Sequence, residues 1–282
     1  MSMKDNLRTV KVSNTLGWAI EANWTHPVLF SLYTVVRPIA ASLILVFIYK
    51  VIATEGEQEA LFAYLYVGNA FYMFVTNVLS GISWIVHDDR EHYQMARYIH
   101  MCPANIFYYF LGRGTAKILM TVVAVLVTLL LGILLFGIEI DFSSVNYPFL
   151  LFATVCGILA IVFLGVILAG ACLLTARHSF FAGEAVAGPF YLACGAIFPI
   201  DILPGWLQGL SKVLPLTYWL EAIRRSLLGG SMSATLSGIG DWQLAGIMVG
   251  SSVVLGIIAV YFYRGCEHLA RKAGKLDQVT NY

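Results

Sequence analysis

The sequence predicts an all-α, polytopic membrane protein with six transmembrane helices, an N-terminal interfacial helix and a short re-entrant helical segment between the fifth and sixth spans. Two observations support this fold class. Of the 282 residues, 59% are hydrophobic and only 12% are charged, whereas soluble domains carry about 25% charged residues. The apolar residues are also gathered in blocks long enough to cross a hydrocarbon core of about 30 Å. We expect a single transmembrane domain, residues 1–282, in the cell (plasma or inner) membrane.

Six apolar blocks are the candidate spans. The fifth is the shortest and contains Pro189 and Pro199, and short or broken spans often mark transport sites. The blocks are Val28–Ala53, Leu61–Val86, Phe107–Ile138, Tyr147–Thr175, Gly183–Ile200 and Leu244–Tyr263.

The distribution of charge predicts that both termini are cytoplasmic. With the N-terminus inside, most Lys and Arg residues fall in cytoplasmic segments, as the positive-inside rule expects. The outer loops are acidic by contrast, with Glu55, Glu57 and Glu59 in the first. The first 27 residues lack the apolar core of a signal peptide. Residues 1–27 and 264–282 are therefore predicted to be cytoplasmic tails, the first including the interfacial helix.

The stretch before the first span has apolar residues at helical spacing. Gly17 and Trp18 lie near its start, and Trp24 ends it. A helix on the inner membrane surface, with both Trp side chains as anchors, fits this pattern. A buried tether without a role of its own is an equal alternative.

Residues 87–105 are predicted to form a cytoplasmic loop, whose charged stretch begins with HDDREH and runs to Cys102-Pro103. Its composition suits a helical segment exposed to a partner. His87 and His92 are five residues apart and point away from each other on a helix, whereas a zinc site of HExxH type needs a spacing of four. A solvated helix end at the membrane surface therefore explains the cluster better than a metal site.

The outer segment 198–230 is predicted to be re-entrant. An apolar helix breaks at Phe198-Pro199, and a short stretch rich in Pro, Gly and Trp follows. Irregular backbone at membrane depth is tolerated only where protein or a water-filled cavity satisfies it, so this segment lines a transport path or caps one. Its charged turn matches helical pairing at i, i+3 and i, i+4, and a structural pair is favoured over substrate contact. The predicted gate residues are Phe198, Pro199, Pro204, Trp206, Pro215, Glu221, Arg224 and Arg225.

The second span is dense in aromatic residues. Tyr66, Phe71, Tyr72 and Phe74 are candidates for the lining of a path for an apolar or amphipathic substrate, with core or lipid-facing packing as the more common alternative. We identify no catalytic residue and no metal or cofactor site. The sequence also lacks a GxxxxGK[ST] phosphate loop, so energy must come from an ion gradient or from a separate subunit.

These features together resemble the membrane subunit of a type-two ATP-binding-cassette (ABC) exporter. The residues that carry the resemblance are Phe198-Pro199, Leu203-Pro204-Gly205-Trp206-Leu207, Leu214-Pro215-Leu216-Thr217-Tyr218-Trp219, Glu221-Ala222-Ile223-Arg224 and Leu227-Leu228-Gly229-Gly230. The charged loop and the N-terminal surface helix correspond to the family's coupling and connecting helices. The chain departs from the family at Asp88–Tyr93, where a Gly-Thr pair that is common in the coupling loop is missing.

The resemblance implies a homodimer of permeases joined to two copies of an ABC ATPase subunit that binds ATP and Mg. The coupling residues would be Gly17, Trp18, Trp24, Asp88, Asp89, Arg90, Glu91, Arg97 and Pro103. The expected cargo is hydrophobic or amphipathic, such as a drug, a lipid or a lipid-linked glycan, with membrane lipid and no nucleic acid as further partners. An ion-gradient-driven secondary transporter, an integral-membrane enzyme and a non-transporting scaffold stay open as alternatives.

Overall fold

The structure, a computed structural model, describes residues 3–22, 26, 29, 36, 39–44, 46, 47, 49, 59–138, 142–175 and 181–276. All regular elements of these residues are helical, which confirms the all-α class. In chain order the helices are α1 (Met3–Ala22), α2 (Glu59–Phe74), α3 (Ser80–His87), α4 (Ala96–Met101), α5 (Ile106–Phe136), α6 (Tyr147–Leu174), α7 (Ala182–Ala193), α8 (Gly205–Val213), α9 (Pro215–Leu228), α10 (Ala234–Ser237) and α11 (Asp241–Lys272). Two π-helical turns, Val75–Leu79 and Asp88–His92, join α2 to α3 and extend α3.

Four helical stretches of the described residues are long and apolar enough to cross a membrane. They coincide with the second, third, fourth and sixth predicted blocks and confirm these as membrane-length helices. The stretches are Leu61–His92, Ile106–Phe136, Tyr147–Leu174 and Asp241–Lys272. The first predicted block, Val28–Ala53, lies largely outside the described residues, although residues 39–44 are helical.

The fifth predicted block, Gly183–Ile200, does not form one helix. Its helix, α7, ends at Ala193 after 12 residues, which reach about 18 Å at 1.5 Å per residue and cannot cross a 30 Å core alone. Gly195, with a φ of 69°, turns the chain after the helix, a conformation that glycine adopts without steric cost. The continuous span is therefore wrong here, and the re-entrant course of residues 198–230 stays a prediction.

Local sequence signals set the helix ends. The side chain of Asn105 accepts a hydrogen bond from the Phe107 amide at 3.0 Å and so caps α5, because a side-chain oxygen satisfies one of the amides that a helix start leaves unpaired. Pro215 stands in the first turn of α9, and Gly229 ends that helix in the left-handed region. Proline at the start and glycine past the end are the usual signals for a short, sharply bounded helix.

The core surrounds α6, which packs against α3, α9 and α11. Close approach depends on small residues along α6. A Cβ atom at Gly157 would lie 2.1 Å from Trp219 Nε1, and one at Gly165 would lie 2.9 Å from Ile82 Cβ. Small residues let helix backbones approach where the lipid supplies no hydrophobic driving force. The small residues of this span therefore serve packing within the chain.

Candidate functional site

A buried charge network closes one end of the helix bundle. Following the positive-inside prediction, we call this end, which carries His92, Ile106 and Lys272, the inner end. Arg113 on α5 lies 3.0 Å from Asp89 Oδ1 and 3.6 Å from Asp88 Oδ2. The Tyr109 hydroxyl donates to Asp89 Oδ2 at 2.8 Å. A buried carboxylate is stable only when paired and hydrogen-bonded, and Asp89 has both kinds of partner.

Arg90 completes the network toward α6. It is 2% exposed, its Nη1 donates to the Cys172 carbonyl at 3.2 Å, and its Nε lies 3.6 Å from Glu91 Oε1. The predicted solvated helix end is therefore wrong for Asp88, Asp89 and Arg90. The π-helical turn Asp88–His92 prolongs the second span between α5 and α6 and carries these charges inward, and the sequence pattern did not reveal their partner on α5.

The exposed part of the predicted coupling loop begins after this turn. Gln94, with a φ of 49°, turns the chain into α4, and a non-glycine residue in that region usually marks a functional or tightly constrained corner. Tyr98 and Met101 are 62% and 64% exposed, and Arg97 and Pro103 are exposed beside them. The exposed Tyr and Met side chains were not predicted from the sequence, because apolar residues in a membrane protein are not distinctive.

The first helix lies against the inner part of α5. A Cβ atom at Gly17 would be 3.0 Å from the Arg113 carbonyl oxygen, and Lys117 Nζ pairs with Glu21 Oε1 at 2.6 Å. Trp18 is partly exposed, and Trp24 lies outside the described residues. The helix also begins at Met3, well before the predicted stretch. The same part of α5 thus holds both predicted coupling elements.

At the outer end, Arg224 of α9 ties three chain segments together. Its Nε donates to the Tyr64 carbonyl at 3.1 Å, and its Nη2 donates to the carbonyls of Gly195 and Ala196 at 2.9 and 2.8 Å. The guanidinium carbon lies 3.8 Å from the centre of the Tyr64 ring, within the range of a cation–π interaction. Arg224 therefore fixes the turn after α7 against the start of α2.

Glu221 and Arg225 add further contacts, and we call Glu221, Arg224 and Arg225 together the outer clamp. Arg225 Nε lies 3.0 Å from Glu221 Oε1, which confirms the predicted i, i+4 pair. Arg225 also donates to the carbonyls of Ile239 and Leu236, at 2.6 and 2.5 Å. Glu221 is fully buried, and the Tyr64 hydroxyl donates to its second oxygen at 3.4 Å. The charged turn holds the outer segment in place.

The remaining gate residues are divided between surface and interior. Phe198, Pro204 and Trp206 are exposed, the last by 76%, whereas Pro199 is buried and Pro215 half-buried.

Asp201 links the 3-10 turn Ile200–Ile202 to α10 by accepting hydrogen bonds from the Thr235 amide, at 3.0 Å, and from the Thr235 hydroxyl. Partial burial works to raise the pKa of Asp201, but hydrogen bonds from Thr235 and Ser233 outweigh it and hold that pKa below its ordinary value.

The aromatic residues predicted to line a path lie in the core instead. Tyr66, Phe71, Tyr72 and Phe74 are each at most 6% exposed. Phe71 and Phe74 pack edge-on against Trp219. Tyr72 donates to the Ala187 carbonyl of α7, and Tyr66 packs against α5, where its hydroxyl donates to the Thr128 carbonyl at 2.7 Å. Core packing is therefore the correct interpretation.

A polar stripe runs along the same span and was missed in the sequence. Asn69, Thr76, Asn77 and Ser80 are half-buried, whereas most of their neighbours on α2 and the first π-helical turn are buried. The hydroxyl of Tyr191 on α7 donates to Asn69 Oδ1 at 2.6 Å. Polar side chains in a membrane-spanning helix face the bundle interior, a partner or a water-filled cavity rather than lipid. The stripe could have been predicted from the sequence, because its four polar residues recur at roughly helical spacing.

An aromatic cavity of about 630 Å³ opens near the outer end of this helix. Tyr49, Phe62, Tyr64 and Phe136 contribute rings to its wall, and Met232 contributes from the segment after α9. Pockets of 300–1,000 Å³ suit drug-sized ligands. Among the described residues no group of His, Cys, Asp and Glu is arranged to hold a metal ion.

Comparison with known proteins gives the family. A family model described as ABC-2 type transporter matches residues 17–228, most of the chain, from the last turns of α1 to the end of α9. The chain is also 23% identical over 168 residues to Uncharacterized protein YhgE of Bacillus subtilis (strain 168), an alignment that covers 57% of this chain and 19% of that protein. The chain thus spans about a fifth of that relative's length.

The family match includes the outer clamp, the polar stripe and the exposed surface of α4. It confirms the resemblance drawn from the sequence. The chain belongs to the ABC-2 type transporter family, and its long apolar helices are those of a membrane-embedded protein.

Proposed function

We propose that the chain pairs with a second copy of itself in an ATP-driven exporter, and that the two copies enclose a path for a hydrophobic or amphipathic substrate. The observation that carries the proposal is the polar stripe Asn69–Ser80. Its four residues are half-buried in a span of membrane length. Thr76 donates to the Met73 carbonyl and Asn69 accepts from Tyr191, but contact with lipid would leave the side-chain N–H groups of Asn69 and Asn77 unsatisfied. A second copy facing this stripe would enclose a path with polar groups on one side and the aromatic cavity at its outer end.

The proposed path has one mobile wall and one fixed wall. The short helix α7 crosses the stripe, with Gly183 against the backbone of Ser80 and Pro189 inside the helix. Proline within a helix removes a hydrogen bond and weakens it locally. The opposite side of α2 is held in the core by Phe71 and Phe74. We expect α7 to shift during transport while α2 stays in place.

Energy would enter at the inner end from two ATPase subunits that bind ATP and Mg. The exposed side chains of Arg97, Tyr98 and Met101 on α4 form the proposed docking surface. The buried ion pairs of Asp88 and Asp89 with Arg113 would pass a push on α4 to the second and third spans, because paired buried charges resist separation. The buried network is thus a rigid link, and the exposed helix is the contact.

Labelling with a polar thiol reagent tests the path. Asn77→Cys in the membrane should react with a membrane-impermeant maleimide, read peptide by peptide by mass spectrometry so that native cysteines do not interfere. Leu126→Cys, which faces outward from α5 and is 60% exposed, is the lipid-facing control and should not react. Equal protection at both positions would remove the water-filled path from the proposal.

Co-purification tests the coupling surface. Extraction in mild detergent should bring an ATPase subunit in equal amount, and the double variant Tyr98→Asp, Met101→Asp should lose it by placing charges in an apolar contact. Trp206→Asp, an equally exposed change at the outer end, should retain it. If the wild-type chain is extracted alone repeatedly, the ATP-driven assignment fails and a gradient-driven carrier or a scaffold takes its place.

A further inference from the structure

A second, smaller cavity lies at the inner end, away from the polar stripe. Its volume is about 230 Å³, and its wall comes from the end of α4, the start of α5 and the inner part of α11. The residues that bear on its chemistry are His100, Asn105, Phe107, Arg264, Glu267 and Arg271. The cavity is smaller than the 300–1,000 Å³ of typical drug-sized sites, which suits a headgroup rather than a whole lipid.

The charges around this cavity leave one cation uncompensated. Arg271 Nη2 lies 2.5 Å from Glu267 Oε1 and donates to the His100 carbonyl at 3.1 Å. Arg264 is exposed, and its recorded contact is with the Phe107 ring, at 6.0 Å from the guanidinium carbon to the ring centre. Among the described residues, Arg264 takes part in none of the ion pairs. The cavity wall therefore carries two guanidinium groups and one carboxylate, and this excess of positive charge attracts an anion.

The position of the cavity matches the headgroup layer. Arg264 follows directly on the apolar part of α11, and Glu267, His268, Arg271 and Lys272 come next. On the membrane side, Ile257 and Tyr261 are 54% and 72% exposed, as expected for a surface that faces acyl chains. Basic side chains at the inner end of a span reach the lipid headgroups.

We propose that this cavity binds the phosphodiester headgroup of an anionic phospholipid of the inner leaflet, with Arg264 and Arg271 as its cationic ligands. The acyl chains lie along the face of α11 that carries Tyr261. The same phosphate chemistry exists in soluble phosphate esters, but the exposed apolar face beside Arg264 favours the lipid. Basic pockets between helices on the cytoplasmic side bind anionic headgroups in the same way. Since His100 belongs to α4, the bound headgroup touches the end of the proposed docking helix.

Native mass spectrometry of the full-length chain, with any co-purifying subunit, tests the site. Equal amounts of phosphatidylglycerol and phosphatidylcholine are offered, and the wild-type chain should retain the anionic lipid at least fivefold better. Arg264→Gln should lower the preference for phosphatidylglycerol over phosphatidylcholine by about fivefold, because one Arg near an anionic surface contributes about that factor to the affinity. Lys272→Gln, an exposed basic residue of the same helix outside the cavity wall, is the matched control and should keep the preference. Arg264 is chosen because Arg271 also holds α4.

Three results would overturn the proposal. Equal retention of both lipids by the wild-type chain would remove the site, as would a preference that survives Arg264→Gln. Displacement of the lipid by millimolar soluble glycerol phosphate would assign the cavity to a free anion instead. The measurement needs neither transport nor ATP hydrolysis, so its outcome does not depend on the proposed function.

Discussion

Removal of the Arg224 guanidinium is the sharpest test of how the outer segment is held. Arg224→Met replaces the side chain by an uncharged one of similar length. The variant loses all three hydrogen bonds to the carbonyls of Tyr64, Gly195 and Ala196. The residues that carry the three oxygens are buried. The turn after α7 is then no longer tied to α2.

The expected loss follows from these contacts. A hydrogen bond to a charged group contributes about 1.5–3 kcal/mol, so three such bonds sum to about 4.5–9 kcal/mol. Relaxation of the turn toward solvent lowers that figure, and we expect a net loss of about 3–5 kcal/mol from the carbonyls left without a donor. This is a large share of a typical stability of about 5–15 kcal/mol. At about 2–4 °C per kcal/mol, the midpoint of thermal unfolding should fall by about 6–20 °C.

Thermal unfolding in detergent, followed by tryptophan fluorescence, measures this loss. Lys212→Met is the control, because Lys212 is exposed on α8 and surface changes usually stay within about 0.5 kcal/mol. Tyr64→Leu is a milder second variant, since it removes the ring under Arg224 but keeps the carbonyl. The cation–π contact contributes about 2 kcal/mol when desolvated, so its midpoint should fall between those of the other two.

An Arg224→Met chain that unfolds within 2 °C of Lys212→Met, a difference of at most about 1 kcal/mol, would refute the reasoning. Hydrogen exchange that becomes faster evenly over the whole chain would also refute it, because the loss of protection should be concentrated in residues 195–203. If Arg224→Met does not fold, Tyr64→Leu still decides the question. Tyr64→Phe, which keeps the ring and loses only the hydroxyl bond to Glu221, is its control, and a Tyr64→Leu chain as stable as Tyr64→Phe would contradict the contact between the guanidinium and the ring.

Two further predictions concern packing and pH. Gly157→Val should lower stability by about 1–3 kcal/mol through overpacking, because a Cβ atom there would meet Trp219 at 2.1 Å. Gly246→Val, with open space around its Cβ, should leave the unfolding midpoint unchanged. Because the pKa of Asp201 is lowered in the fold, its stabilising effect is complete above its unfolded pKa of about 3.9 and is lost as pH falls through the folded value. Hydrogen exchange at Thr235 should therefore accelerate below about pH 4, and Asp201→Asn should abolish that pH dependence; acceleration that persists in the variant would contradict it.

Much of the fold could be predicted because long apolar blocks have few alternatives in a membrane. The second, third, fourth and sixth spans follow from length and hydropathy. The prediction of a helix over the whole fifth block was wrong because the apolar run includes a turn. Gly195 adopts a positive φ, and the helix ends early. Composition does not distinguish an apolar turn from an apolar helix when both are buried.

The candidate site was harder to predict, since its residues are defined by partners far away in the chain. The Glu221–Arg225 pair was predicted because its members lie on one helix turn. Arg113, which pairs with Asp89 across 24 positions, was missed. The aromatic residues of the second span were candidates for a path lining, with core or lipid-facing packing as the more common alternative, because a sequence pattern does not show which face of a buried helix meets the core.

The sequence by itself determined the membrane class, the position of the long spans, the short-range ion pair and the family resemblance. Each of these depends on composition or on contacts within one helical turn, where geometry is known in advance. Only the tertiary structure decided that Asp88, Asp89 and Arg90 are buried, that Arg224 binds three distant carbonyls, and that Arg264 and Arg271 share one cavity. These arrangements depend on how separate helices pack, and that packing places residues from 24 to 171 positions apart within hydrogen-bonding distance.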